Sequence, residues 1–234
     1  MSNLKVLYED NHIIAVVKPA SVLTQGDGSG EKSLMDIVKD YLKEKYNKPG
    51  NVFLGLVHRL DKPVQGIVLF GKTSKGASRL SEQFRQHTIQ KTYYAIVLGK
   101  VKDKKGELKE KINKISFFAE GFTEKSDEEL LQEIKKATKT RTAELSWELI
   151  KSNDKYSLLK VLPKTGRFHQ IRVQMSEMGH PILGDKKYGK IITPEWRDNN
   201  SIALVATGIE FKVATNNELI KLEIQLPDDW KKYI

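Results

Sequence analysis

Cysteine is absent from this 234-residue chain, which excludes disulfides, thiol nucleophiles and thiolate metal sites. Long apolar runs are absent too. Met1 to Lys5 leads into no leader-like core, and no stretch approaches membrane-spanning length. A soluble, cytoplasmic protein with no membrane partner is therefore expected. The five histidines (His12, His58, His87, His169 and His180) are scattered without ligand spacing, so no metal is expected either. Neither G-x-S-x-G nor H-E-x-x-H occurs. Gly26, Gly28 and Gly30 fall at every second position and lack the third-glycine offset of a dinucleotide loop. They read as a flexible connection.

What remains is a globular composition, 39% hydrophobic and 30% charged, long enough for a sizeable core. A single domain over residues 1–234 is the simplest organisation. Forty Lys and Arg against thirty Asp and Glu give a formal charge of +10. Such an excess suits a polyanionic partner, nucleic acid above all. A surplus of solvated lysines is the bland alternative.

Periodicity and punctuation sketch an α+β chain with more strands than helices. Residues 5–8 and 12–18 read as strands, the second closed by Pro19. Ser33 and Asp36 have capping-box spacing ahead of the stripe Leu34, Ile37, Val38, Tyr41 and Leu42, which predicts a helix. A second helix is expected over 74–87, with Ala77, Leu80 and Phe84 inward. A strand over 91–99 follows, on which adjacent Tyr93 and Tyr94 face opposite sides. From 101 to 142 charges of both signs alternate, which suggests a solvated arm or insertion with a short helix near 127–137. Residues 143–150 alternate with period two and pair with 156–162. Strands over 201–206, 209–213 and 219–226 complete the chain, the last two joined around Asn216 and Asn217.

Two stretches concentrate reactive groups. In Val57-His58-Arg59-Leu60-Asp61-Lys62-Pro63-Val64-Gln65-Gly66, Pro63 and Gly66 argue for a short loop between two buried strands. A polar turn and a presented site both fit. The spacing is one residue too long for the kinase catalytic loop, and Gly66 stands where that loop needs Asn. The second stretch is Lys164 to Met175. Phe168, Ile171, Met175 and Met178 follow helical spacing, and Arg172 lies on or beside that inward stripe. Either Arg172 snorkels to water, or a carboxylate receives it, and the central loop offers Asp61. Residues 179–189 form a glycine-studded passage that shapes a wall; His180 and Asp185 there fit a chemical role or, more simply, structural hydrogen bonding.

These residues together resemble the RluA-type pseudouridine synthase family. Its H-R-L-D-x-x-T-S-G is matched from His58 to Gly66, and its K-x-Y-x-A-x-V-x-G from Lys91 to Gly99. Its T-G-R-x-H-Q-I-R is matched from Thr165 to Arg172, and its G-H-P-I-x-G-D-x-x-Y-G from Gly179 to Gly189. Val64 and Gln65 replace the Thr-Ser pair, Phe168 stands where Thr is frequent, and Ala203 to Ala206 lacks the family's His. The resemblance implies a long, mixed, mostly antiparallel sheet flanked by helices and loops, with the site in a central cleft. It implies isomerisation of a specific uridine in structured RNA, ribosomal or transfer, with base flipping and no cofactor. It assigns catalysis to Asp61, Tyr93 and Arg172. Asp61 acts as nucleophile or as base on a ribose proton, Arg172 is its salt-bridge partner, and Tyr93 stacks on the base. RNA contacts fall to Arg59, which is expected to enter the helix in place of the flipped nucleotide, and to His58, Lys91, Arg167 and His169. A monomer is expected, without the RNA-binding domain that often precedes this catalytic one. A non-catalytic RNA-binding or ribosome-assembly factor on the same scaffold is the alternative.

Overall fold

The computed structural model describes residues 4–112, 141–189, 196, 200–216 and 218–234. The helix expected near 127–137 and the Asn217 half of the last turn lie outside these residues.

The described chain runs β1 (Val6–Glu9), β2 (Ile13–Lys18), α1 (Leu34–Lys45), β3 (Gly55–Leu56), β4 (Gln65–Gly71), α2 (Ser74–Arg85) and β5 (Gln90–Leu98). Then come β6 (Lys105–Ile112), β7 (Arg141–Ser152), β8 (Tyr156–Pro163), α3 (Gln170–Glu177), β9 (Leu204–Lys212) and β10 (Leu219–Glu223). The strands form one sheet in the order β1-β2-β4-β9-β5-β8-β7-β6, with β3 added on β4 and β10 on β9. Each pairing is antiparallel apart from β4 with β9, where Gln65 opposes Val205 and Gly66 opposes Ala206 in parallel register. That short parallel contact joins the two halves of the sheet, and it involves the last two residues of the Val57 to Gly66 stretch.

Both sheet faces are buried, so β2 and β4 read as continuous apolar runs. Ile14, Val16, Val68 and Phe70 face one core with α1, while Ile13, Ala15, Ile67 and Leu69 face a second with Leu80 of α2. The α1 capping box forms as its spacing implies: Ser33 Oγ accepts the Asp36 N–H, and the Asp36 carboxylate accepts the Ser33 N–H. In α2, Leu80 is fully buried, Phe84 stacks on His58, and Ala77 packs so tightly on Gly71 and Gly55 that neither glycine has room for a side chain.

Several expectations need correction. Within the expected charged arm, residues 105–112 form an unexpected strand, β6, paired residue for residue with β7 from Lys105 opposite Glu148 to Ile112 opposite Arg141. Alternation of Lys with Glu hid the strand, because the exposed side of an edge strand needs no apolar residues. The two strands expected over 201–206 and 209–213 are one strand, β9, running through Gly208. The strand before the central loop is only Gly55–Leu56, and Gly66 lies inside β4 rather than in the loop. Phe168 does not share the inward stripe. His169 takes a left-handed backbone (φ 52°) as N-cap of α3, so helical phase begins only at Gln170, and Phe168 is left 45% exposed.

Gly66 has φ +141°, and a Cβ there would overlap the backbone of Ala206 across the parallel pair. Gly66→Ala is therefore expected to destabilise the protein by about 1–3 kcal/mol, measured as a lower midpoint of urea unfolding. An unchanged midpoint would mean that the parallel contact is not needed to hold the sheet together.

Candidate active site

The central loop is fixed from both ends by groups that the sequence did not advertise. Thr24 Oγ1 donates to the Leu60 carbonyl at 2.8 Å and accepts the Leu60 N–H at 3.2 Å. The carbonyl of Lys62 accepts both the Ser21 N–H (2.9 Å) and the Lys18 ammonium (3.0 Å). Lys18 has no exposed surface, and its Nζ also donates to Pro19 O at 3.0 Å and Val22 O at 2.6 Å. Burial pulls its pKa down to about 7, against the opposing pull of Asp61. With Leu60 and Val64 buried as anchors and the Val64 N–H closing a turn on Asp61 O (3.0 Å), Asp61 is held at the apex. The signal for Lys18 was its place at the end of an apolar strand directly before Pro19, where a long cation has no route to water.

Arg172, on the first turn of α3, is 6% exposed. It does not snorkel. Its main partner is Asp185, with Nε to Oδ2 at 2.6 Å and Nη2 to Oδ1 at 2.9 Å, a two-pronged pair. Its remaining nitrogen, Nη1, reaches Asp61 Oδ2 at 3.3 Å. Asp185 also accepts the N–H groups of Lys187 and Tyr188, at 3.1 and 3.3 Å. Arg172 is thus anchored on Asp185 and points its free edge at Asp61. The pairing of Asp61 with Arg172 was legible in the sequence; the larger share taken by Asp185 was not. His180 is structural, its Nδ1 donating to Leu98 O at 2.8 Å.

Burial, with a further push from Asp185, raises the pKa of Asp61 against the opposing pull of Arg172 and Arg59. The balance follows from geometry. One long contact at 3.3 Å to a guanidinium already committed to Asp185 compensates the burial of the carboxylate only in part. The same Asp61 oxygen faces His169, whose Nε2 is 3.5 Å from Oδ2 and whose Nδ1 is 2.7 Å from the Tyr188 hydroxyl. Burial, then Arg172, lowers the His169 pKa to about 3, so the ring is neutral.

Asp61 opens into a cleft of about 560 Å³ that crosses the middle of the sheet. The structure brings every expected site residue to this cleft, but gives them different duties. Tyr93 lines it, placed by a bulge in the β5–β9 pairing at Thr207, while Tyr94 is not among the lining residues. Burial, then Asp61, raises the Tyr93 pKa. Arg59 is exposed, its guanidinium 6.0 Å from the Phe168 ring. Lys91 donates to Thr165 O at 3.2 Å, and burial lowers its pKa to about 8. Arg167 Nε donates to Thr142 O at 3.0 Å. His58 is engaged by the fold: Nε2 accepts the Leu69 N–H at 2.9 Å, the ring stacks on Phe84, and burial pulls its pKa to about 3. It offers the cleft a neutral ring edge. Arg85 and His87 also line the cleft, from the end of α2. Their signal in the sequence was the basic outer face of that helix. Among the described residues no cluster of three metal-ligating side chains occurs, and no helix is long and apolar enough to cross a membrane.

A carboxylate steadied by a buried guanidinium, in a cleft lined by basic side chains with an aromatic beside it, suits an enzyme whose substrate is a polyanion. Known proteins narrow this. Residues 12–177 match the family model of RNA pseudouridylate synthase. The ribosomal large subunit pseudouridine synthase C of Buchnera aphidicola is 32% identical over 98% of this chain and 69% of its own length. The tRNA pseudouridine synthase C of Vibrio parahaemolyticus is 30% identical over 98% of this chain and 93% of its own. Human RNA pseudouridylate synthase domain containing 4 has the same fold, with a TM-score of 0.75 at 21% identity over 97% of this chain and 90% of that one. The chain belongs to the RNA pseudouridylate synthase family, and it isomerises uridine in RNA to pseudouridine.

Asp185→Asn keeps the shape of the side chain and removes the main counter-charge of Arg172. Since Asp61 still faces the guanidinium, the expected destabilisation is about 3 kcal/mol, the low end for one partner lost from a buried pair. Urea unfolding measures it, and a loss below about 0.5 kcal/mol would show that the pair is not structural.

Proposed function

We propose that Asp61 performs the chemistry of this isomerisation on ribosomal RNA or tRNA in the cytoplasm, where those RNAs are processed. The observation that carries this reading is the placement of Asp61. Its carboxylate is turned into the cleft by a loop pinned through Lys18 and Thr24, and faces Arg172, which Asp185 holds. The choice of RNA draws on the two relatives, one named for the large ribosomal subunit and the other for tRNA.

The reaction must break the glycosidic bond, turn the uracil, join its C5 to the ribose and release the C5 proton. Two routes are open to Asp61, attack on the nucleotide or removal of a ribose proton. Both need the ionised carboxylate, and both use Arg172 to hold it in place. Tyr93, with its hydroxyl kept protonated by burial, offers a flat surface for the base and a proton relay close to Asp61. Arg59, Lys91 and Arg167 surround the cleft with positive charge for phosphates, so binding should weaken steeply as salt rises. Arg59 has the freedom to enter the RNA helix when a nucleotide is extruded, and unstacking costs about a few kcal/mol.

Mapping pseudouridine in total RNA from cells with and without this gene tests the reading. Specific sites in ribosomal RNA or tRNA should vanish without the gene, return with the wild type and stay absent with Asp61→Asn, whose purified protein still binds RNA. Return of the sites with Asp61→Asn would mean that another group does the chemistry. Full modification without the gene would remove ribosomal RNA and tRNA as substrates.

The raised pKa of Asp61 sets an acid limb. Activity depends on the ionised form, so the rate under single-turnover conditions should fall as pH drops through that pKa, with a midpoint above the ordinary Asp value of 3.8. A flat profile down to pH 4 would contradict this.

A further inference from the structure

One aromatic at the cleft has no part in the mechanism above. Phe168 is 45% exposed, and among the described residues it is the only strongly exposed large apolar side chain that lines the cleft. Its ring lies against His169, with centroids 3.7 Å apart and planes 19° from parallel. His169 in turn faces Asp61 at 3.5 Å. Phe168 is therefore one aromatic layer further out than His169, which occupies the space next to the carboxylate. The exposed Arg59 guanidinium lies over its ring, 6.0 Å from the centroid, so a base stacking there takes the place that Arg59 now holds. The left-handed backbone of His169 is what turns Phe168 out of α3 and into the mouth of the cleft.

We propose that Phe168 is a stacking platform for a nucleobase next to the target uridine in the RNA. The proposal rests on the reading of this cleft as the RNA site. A flat ring exposed at the cleft, with the exposed Arg59 guanidinium close by, suits a base with its phosphate, because base and ring stack while the cation meets the backbone. The target nucleotide must reach Asp61, and His169 fills the layer between Asp61 and Phe168. A base on Phe168 is thus a neighbour of the target. Stacking of this kind tolerates any base, so Phe168 adds affinity and fixes the RNA's approach without reading sequence.

The test uses the full-length protein with ribosomal RNA and tRNA purified from cells lacking the gene. Filter binding gives Kd, and pseudouridine formation gives kcat and KM. Phe168→Ala should weaken binding about 5- to 150-fold, the range expected for one stacked base. Phe168→Leu keeps apolar volume without a ring and should stay closer to Phe168→Ala, while Phe168→Trp should restore binding. The loss should appear in KM and Kd, with kcat at saturating RNA within about twofold and the salt dependence of Kd unchanged. Wild-type binding by Phe168→Leu, or no recovery with Phe168→Trp, would overturn the proposal. A loss confined to kcat would overturn it too, placing Phe168 instead as a support of His169 and Asp61. If the wild type bound these RNAs but formed no pseudouridine, the reading of the reaction would fail, and the Kd series would still decide the platform.

Discussion

Arg172 is a buried cation shared unequally between two carboxylates, and the rest of the site depends on that inequality. Asp185 takes two of its nitrogens in short contacts and is itself held by two backbone N–H groups. Asp61 receives a single, longer contact. A structural acid is bound tightly so that a second acid can be steadied without being locked. The raised pKa of Asp61 is the electrostatic mark of this arrangement: its burial is only partly compensated, which leaves a carboxylate more basic than one in water.

The fold supplies the three parts from distant places. Asp61 comes from the loop before β4, Arg172 from α3, and Asp185 from the turns after it, which are tied to β5 through the Val97–Ile182 bridge and the Leu98 N–H to Pro181 O bond. The parallel contact of β4 with β9 then fixes the loop against the centre of the sheet. Lys18 lies under the loop as a second buried cation, so the cluster of Asp61, Asp185, Arg172 and Lys18 is close to neutral when all four are charged. A near-neutral buried cluster is less costly than an isolated charge, and each member becomes dependent on the others.

Much of this was legible in the sequence, for physical reasons that differ residue by residue. Arg172 betrayed itself as a charge near a helical apolar stripe, and the rule that a buried guanidinium needs an acceptor led to Asp61. The same rule could not rank Asp61 against Asp185, because both acids sit in loops whose approach to α3 is a tertiary fact. Phe168 was misplaced because periodicity carried the helix two residues too far, and only the left-handed His169 shows where helical phase begins. The strand β6 was hidden because alternating Lys and Glu satisfies an exposed edge as well as it does a solvated arm. Lys18 was missed because its hydrogen-bond acceptors are backbone carbonyls, which carry no sequence identity.

We infer that Arg172 acts by orienting Asp61 and not by gripping the RNA. Arg172→Lys tests it most directly, because the charge remains while the fork that spans Asp185 and Asp61 is lost. Single-turnover pseudouridine formation and RNA affinity are measured side by side on this variant. An orienting role predicts a rate at least tenfold lower with Kd within about threefold of wild type, since a misaligned catalytic group costs rate rather than binding. Parallel losses in rate and affinity would contradict it and make Arg172 a phosphate contact.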